Sequence, residues 1–385
     1  MKKTAEIVII GGGVSGLATA YFLAKMGMKD IVVLEKGYIA SGSTGRCGAG
    51  IRQQWGTEMN CRMAINACDF YEKGNEILEY DDDIEFKQGG YLIIATTEKE
   101  HEQFKKNVAL QQSLGIPVKH LTPQEALEVV PFLNISDVLS ATYCKKDGHL
   151  NPFKVCDAFA KACRKLGVEI NTYTKVEDIV VENGRIKEVV TDKGNIATNK
   201  VMNAAGGYSQ VIAKMVGIDL PVYSERHNIL VTEPVEPFLG PMVMAFQKNL
   251  YIQQVPHGSV IMGKGDPNEP RDFTIKSSWH FLDEMARIAC DTLPPLRGLR
   301  MVRQWAGLYN MSPDCQPVLG SVDEVEGFYM AIGFSGHGFM MGPTTGMVIA
   351  EHILGQESEL TKLLIGMLHL SRFEKGELIL EPSVV

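Results

Sequence analysis

Near the start of the chain, Gly11-Gly12-Gly13-Val14-Ser15-Gly16 has the spacing GxGxxG, which suits the holding of a diphosphate. Gly11 permits a tight turn, Gly13 lets the backbone approach a pyrophosphate, and Gly16 allows a helix to pack closely on a strand. Val14 and Ser15 open that helix and aim its unsatisfied N–H groups and positive dipole end at the phosphates. Glu35 follows Gly16 by 19 residues, where a carboxylate accepts hydrogen bonds from ribose hydroxyls, and Lys36 beside it joins the expected cofactor contacts. The alternative, a glycine turn plus a surface glutamate, fits poorly with an apolar run before the motif and a helical pattern after it.

The motif alone does not separate NAD from FAD. A second small-residue loop carries Gly42, Ser43, Thr44, Arg46, Gly48 and Gly50. Placed soon after the second strand, it can wrap the far side of the pyrophosphate and run under a flavin ring, which favours FAD. As a bare pattern it also reads as a surface loop. A third glycine-rich stretch holds Gly333, Gly336, His337, Gly338 and Phe339, then Met340. It lies between a strand pattern and a helix pattern, so N–H groups at that helix start can stabilise the anionic edge of a reduced flavin. The bland reading is a structural turn.

A small amino-acid substrate needs a cation for its carboxylate. Arg52 and Arg303 are the candidates, because guanidinium can hold a carboxylate bidentately; either can also be a structural arginine. His227 and Tyr251 sit in strand-like runs, and either can orient or deprotonate an amine, although a strand His or Tyr taken singly is more often structural. His337 completes the candidate catalytic set. His101, His120, His257, His280, His352 and His369 lack metal-ligand spacing, and no metal is expected.

These residues need a scaffold, and the hydrophobic pattern supplies one. Residues 7–10 read as a buried strand, 14–26 as a helix and 31–35 as a second strand, the βαβ unit of a dinucleotide-binding domain. The spacing predicts helices over 57–80, 98–114, 152–166, 279–293 and 343–354. It predicts strands over 89–95 and 328–332, and a buried strand over 201–207 that ends in small residues, Gly206 among them. Residues 169–197 read as a β-meander with turns at Asn183-Gly184 and Lys193-Gly194, and 226–263 as mostly β.

The 385 residues are 45% hydrophobic and 22% charged, ordinary globular values for a chain long enough for two domains. The net charge is −8, which disfavours nucleic acid or an anionic membrane as partner. No run approaches the roughly 18 apolar residues of a membrane span, and the glycine-interrupted N-terminal run is not a signal peptide. Eight cysteines with no CxxC pair argue against zinc or iron–sulfur ligation and suit reduced thiols in the cytoplasm.

Together the motifs resemble the D-amino-acid oxidase-like flavoprotein superfamily, and most closely the β subunits of heteromeric L-proline dehydrogenases and sarcosine oxidases. The likeness covers nearly the whole chain and is carried by STGRCGAGIRQQW (43–55), RQWAGLYNMSPDCQPVLG (303–320) and GFSGHGFMMGP (333–343). It implies an α/β fold: a discontinuous Rossmann-like FAD domain (1–85, 145–220, 311–385) and an α+β substrate domain (86–144, 221–310) with a large mixed or antiparallel sheet. It also implies that Val176 contacts adenine through its backbone and that His227, Tyr251 and Arg303 line the substrate pocket.

Three departures bear on function. Gly307 stands where monomeric sarcosine oxidases carry a flavin-linked cysteine, so FAD is expected to be non-covalent. Met340 stands where many sarcosine-oxidising members have a lysine, which argues against sarcosine and against efficient use of O2. Asn151, with His149 two residues away, stands near the histidine that bonds FMN in heterotetrameric members; a covalent FMN is not expected, while FMN at a subunit interface stays open. The expected activity is FAD-dependent oxidation of the C–N bond of a small, proline- or sarcosine-like amino acid, with electrons passed to an α or other partner subunit. Two alternatives remain: a stand-alone glycine, sarcosine or D-amino-acid oxidase making hydrogen peroxide, and a flavin-binding assembly subunit with a vestigial site.

Overall fold

The computed structural model describes residues 1–266 and 268–383. Two large sheets carry the chain. The first has six strands, in the order Val318–Ser321, Phe328–Ile332, Val201–Asn203, β1 (Ile7–Ile10), β2 (Ile31–Leu34) and Glu169–Asn171. Neighbouring strands are parallel, except that the edge strand Val318–Ser321 pairs antiparallel with Phe328–Ile332.

β1 explains why this sheet is apolar on both faces. Ile7 and Ile9 enter a cluster with helix α1 (Val14–Lys25) and the helices Pro152–Lys165 and Gly342–Leu354, while Val8 and Ile10 point the other way. There they meet Val176, Ile179, Ile186, Val189 and Ile196 from the meander Val176–Glu182, Arg185–Thr191, Gly194–Ala197. Side chains alternate along a strand, so a strand covered on both sides must be apolar at every position.

The second sheet has eight strands: Met301–Met311, Tyr223–Thr232, Val260–Lys264, Leu250–Gln254, Met242–Ala245, Tyr91–Ala95, Ser140–Cys144 and Val118–Leu121. All neighbours are antiparallel but Met242–Ala245 and Tyr91–Ala95. Its two faces differ. Leu230, Ile252 and Met262 pack with Phe281, Met285 and Ala289 of the helix Trp279–Thr292. Tyr91, Ile229, Met242, Met244 and Tyr251 pack together in a separate cluster.

Some sequence expectations need correction. The 57–80 helix is broken into α2 (Glu58–Glu72) and a single turn, Gly74–Ile77. Gly74 packs so closely that a Cβ there would lie 2.6 Å from Ile84. The 169–197 meander loses its first strand, because Glu169–Asn171 extends the parallel sheet beside β2. The longest strand, Met301–Met311, reads in the sequence only as a motif. It bears the tie between the sheets: Ser43 Oγ donates to Leu308 O (2.6 Å), Arg46 Nη1 to Ala306 O (3.3 Å), and Trp305 Nε1 to Arg46 O (3.0 Å).

Candidate active site

Between the two sheets lies a cavity of about 610 Å³, within the size range of cofactor sites. One end is made by main chain. Gly11 has φ +122°, and a Cβ there would sit 2.3 Å from Ala204 O. A Cβ on Gly16 would sit 2.1 Å from Gly11 O, so both positions exclude side chains. The N-cap of α1 is Gly13, with no side-chain cap and no acid in the first turn. The first-turn N–H groups therefore face the cavity, only Val14 N being turned to Thr44 Oγ1 (3.2 Å). The helix Gly342–Leu354 starts beside it and also lacks a side-chain cap. Cβ atoms on Gly342 and Gly346 would lie 2.5 Å from Val14 Cγ2 and Ala18 Cβ. Glycine thus lets the two helix starts pack together, and the start of α1, which faces the cavity, suits an anion.

Glu35 is buried at the rim of this end and accepts from Gly12 N (2.8 Å) and Gly37 N (2.7 Å). Gly13, Val14, Ser15, Lys36, Gly42, Ser43, Thr44, Arg46, Val176 and Gly206 line the same space, as do Gly336, Gly338 and Phe339. Lys36 Nζ also lies over the Tyr208 ring. The other proposed contacts stand behind this lining. Gly16 is helix packing, and Gly307 admits Arg46 (Cβ to Cβ 3.1 Å). Gly48 backs onto Tyr251, and a Cβ on Gly50 would strike the Tyr91 hydroxyl. Gly333, with φ +72°, donates its N–H to Asn310 Oδ1 (2.7 Å), and Met340 packs into the helical core.

A cluster of side chains meets the cavity through Tyr309, while Arg52, His227, Tyr251 and His337 stand behind it and do not line it. His227 lies opposite Gly307 across two paired strands. Its ring stacks on Tyr309 (4.2 Å, 2°) and aligns with Tyr251 (5.9 Å, 8°). Burial pushes His227 down to about 4, so its imidazole is neutral near pH 7, and Nε2 has no partner. Burial raises both phenols, Tyr251 and Tyr309, above their ordinary range. His337 is buried edge-on to Trp55 (5.1 Å). Burial, then the nearby Arg52 charge, pushes it down to about 3, and its Nε2 is also unpartnered.

Arg52 is 3% exposed, lies 3.7 Å from the Trp55 ring, and donates to the carbonyls of Gln54 and Ser383. Its Nε has no partner, and among the described residues no carboxylate pairs with it. The nearest acids are occupied. Asp147 accepts from Gln53 N and Gln54 Nε2 and is pushed up to about 6 by burial, against those bonds; Glu381 is held by donors at the start of α2. Burial lowers the Arg52 pKa, opposed chiefly by Glu381.

The structure therefore brings Arg52 and His337 together through Trp55, and His227 and Tyr251 through their stacked rings. Arg303 is not brought in. It is exposed near the end of its strand, its guanidinium 5.4 Å from the Trp305 ring, and roughly 13 Å of strand separates it from Gly307. The sequence reading missed Tyr309, Asn310 and Asp147. Asn310 ties strand to loop, bonding Gly333 N, Ser209 Oγ and Ser335 N. Only its place within the 303–320 motif could have flagged it. His101 and His280 each meet two carboxylates at the surface, where Lys105 and Lys264 already pair with Glu102 and Glu284. No helix among the described residues is long and apolar enough to cross a membrane.

A glycine turn, the uncapped start of α1 and a buried glutamate at the rim define a dinucleotide-binding oxidoreductase, and the groups present fit FAD. The family model described as FAD dependent oxidoreductase (DAO) matches residues 6–352, and the chain belongs to that family. It is an FAD-dependent oxidoreductase. Sarcosine oxidase subunit beta from Rhodobacter capsulatus is 31% identical over 98% of this chain and 91% of that protein. The L-proline dehydrogenase structure from P. horikoshii superposes with a TM-score of 0.93 at 37% identity, covering 98% of this chain and all of that one. Glycine oxidase from Geobacillus kaustophilus superposes at 0.87 with 25% identity, over 96% and 99% of the two chains.

Proposed function

We propose that the protein oxidises the C–N bond of a small secondary amino acid, proline- or sarcosine-like, and passes the electrons to a partner subunit. The observation that carries this reading is Arg52. A buried guanidinium with no carboxylate partner is costly, and the cost is recovered when a ligand brings a carboxylate. The relatives named for proline and sarcosine support the same substrate class.

FAD supplies the two-electron acceptor; the protein's own groups prepare the substrate. Arg52 binds the carboxylate and so fixes the orientation of Cα. The wall of Met244, Ile229 and Tyr251 is apolar and buried, which disfavours an ammonium and favours the neutral amine that oxidation requires. His227, neutral at pH 7, accepts a hydrogen bond from the amine N–H at Nε2, which orients the nitrogen without taking its proton. Tyr309 and Tyr251 hold its ring in plane. The uncharged His337 adds no positive charge beside Arg52.

Other groups support the finer parts of the reading. Asn151 is committed to capping the helix Pro152–Lys165, accepting from Phe153 N and Lys154 N, and His149 is buried in a strand pair with Gly50. Neither suits covalent attachment of FMN. Gly307 and Met340 offer no thiol for FAD and no amine near the flavin-edge loop, which favours non-covalent FAD and a dehydrogenase. The test is anaerobic bleaching of the bound flavin by proline, hydroxyproline, sarcosine, glycine and D-amino acids in turn. A secondary amino acid should bleach it fastest, and reoxidation in air should be slow. Rapid peroxide formation would instead establish a stand-alone oxidase, and a flavin that no amine reduces would establish a vestigial site.

A further inference from the structure

After the short helix Arg372–Lys375, the chain turns back into the molecule. Leu378 and Leu380 are exposed, but Glu381 and Ser383 are buried against the turn that joins Arg52 to α2. The Glu381 carboxylate accepts from Gly56 N (2.7 Å), Thr57 Oγ1 (2.7 Å), Asn60 Nδ2 (2.9 Å) and Ser383 N (2.9 Å). These donors are all neutral, and among the described residues no cation pairs with Glu381. Gly56 leaves just enough room, since a Cβ there would lie 2.3 Å from Pro382 Cγ. Two residues beyond Glu381, the Ser383 carbonyl accepts from Arg52 Nη2, and Ser383 Oγ accepts from Asn107 Nδ2 (3.0 Å).

We propose that Glu381 is a positioning residue for Arg52: it clamps the segment 377–383 onto the start of α2, and the clamped Ser383 carbonyl sets the guanidinium for the substrate carboxylate. The inference rests on Arg52 being the carboxylate anchor. Arg52 has five N–H donors; the carbonyls of Gln54 and Ser383 take one each from its two terminal nitrogens, and the Trp55 ring packs 3.7 Å from the guanidinium carbon. A carbonyl orients a guanidinium without neutralising it, so the charge stays available to a ligand. A carboxylate in the same place would compete with the substrate. Glu381 therefore acts at one remove, bonded to backbone and side-chain amides and a hydroxyl while it fixes the peptide that touches Arg52.

The test uses the intact holoenzyme and pyrrole-2-carboxylate, a planar carboxylate that cannot be oxidised at carbon next to nitrogen, titrated by its perturbation of the flavin spectrum. Glu381→Ala breaks the clamp from the segment's side, and Gly56→Ala breaks it from the opposite side by displacing Pro382. Each should raise the probe's Kd and the substrate's KM about tenfold, as expected when an anchor is shifted by a fraction of an ångström. Flavin content should be unchanged and kcat should stay within about twofold. A variant that keeps its flavin and melts at lower temperature, yet binds the probe as the parent does, overturns the proposal and leaves a purely structural strap. If Glu381→Ala does not fold, Gly56→Ala and the milder Glu381→Gln, which keeps one acceptor oxygen, decide the matter. Arg52→Met run in parallel separates the two ideas: probe binding lost there but intact in the clamp variants sinks only the clamp, whereas probe binding intact in Arg52→Met, or absent from the parent, sinks the carboxylate site itself.

Discussion

At the β1–α1 end of the cavity the groups that face the cofactor are main-chain N–H donors, and side chains are kept away by glycine. Around His227 and Tyr251 the strands are bonded to their neighbours and the groups gathered there are rings, while the Arg52 guanidinium comes from the segment after Gly50–Ile51. The first wall holds by shape. A Cβ at Gly11 or Gly16 collides with a carbonyl oxygen at little more than 2 Å, and no side-chain rotation relieves a clash between backbone atoms. The second wall acts through chemistry. Burial keeps His227 and His337 neutral and leaves Arg52 as the cation. Changes in the first wall should therefore be all-or-none and show in flavin content; changes in the second should be graded and show in kinetics with the flavin in place.

The largest effect is expected at Gly11. Gly11→Ala must adopt a positive φ and push Ala204 away, and the variant should purify colourless and fail to take up added FAD. A yellow variant with ordinary flavin content would break the contrast between the walls. Arg52→Met comes next. Losing a buried charge–carboxylate contact costs about 4 kcal/mol, so kcat/KM should fall roughly 10³-fold, mostly through KM, with the 450 nm absorbance retained.

The third effect is one of pH. His227 titrates near 4 when folded and near 6.5 when unfolded. A histidine with a depressed folded pKa destabilises the fold as pH drops below the unfolded value, since only the unfolded chain then takes up the proton. From pH 7 down to pH 4, the group should remove up to about 3 kcal/mol of stability. His227→Phe keeps the ring stack and removes the proton site, so urea unfolding should show a shallower acid loss in the variant. Equal acid loss in both proteins would mean that His227 is not the neutral group its burial implies.

The same contrast explains what could be read before the fold was in view. The backbone wall leaves marks in the sequence, because a turn at φ +122° or a 2 Å approach demands glycine at a fixed spacing. Gly11 and Gly16 were legible for that reason, and with them the β1–α1–β2 unit. The side-chain wall depends on register between distant segments. Nothing local says that His227 lies opposite Gly307 or that Tyr309 stacks on it, and Tyr309 was missed although it sits inside a recognised motif. The strand Glu169–Asn171 was assigned to the wrong sheet for a related reason: three residues carry no face pattern, and its place beside β2 is set by pairing alone. Asp147 gave no signal, since a buried carboxylate in a short loop looks like a surface one.

Arg303 is the smallest expected effect and the sharpest check on this division. By residue type it rivals Arg52, and its side chain is on the same face of its strand as Gly307 and Tyr309. The geometry separates the two. Arg303 is exposed, over the Trp305 ring and near the strand end. A solvated guanidinium is screened, and an exposed contact contributes less than about 1 kcal/mol. Arg303→Ala should therefore change kcat/KM by no more than about threefold, against the thousandfold of Arg52→Met. The double variant should add the two effects, as distant sites do. A loss at Arg303 comparable to that at Arg52 would require the end of the Met301–Met311 strand to close over the bound substrate, and the carboxylate would then be shared between two arginines, one buried in the resting protein and one recruited from solvent.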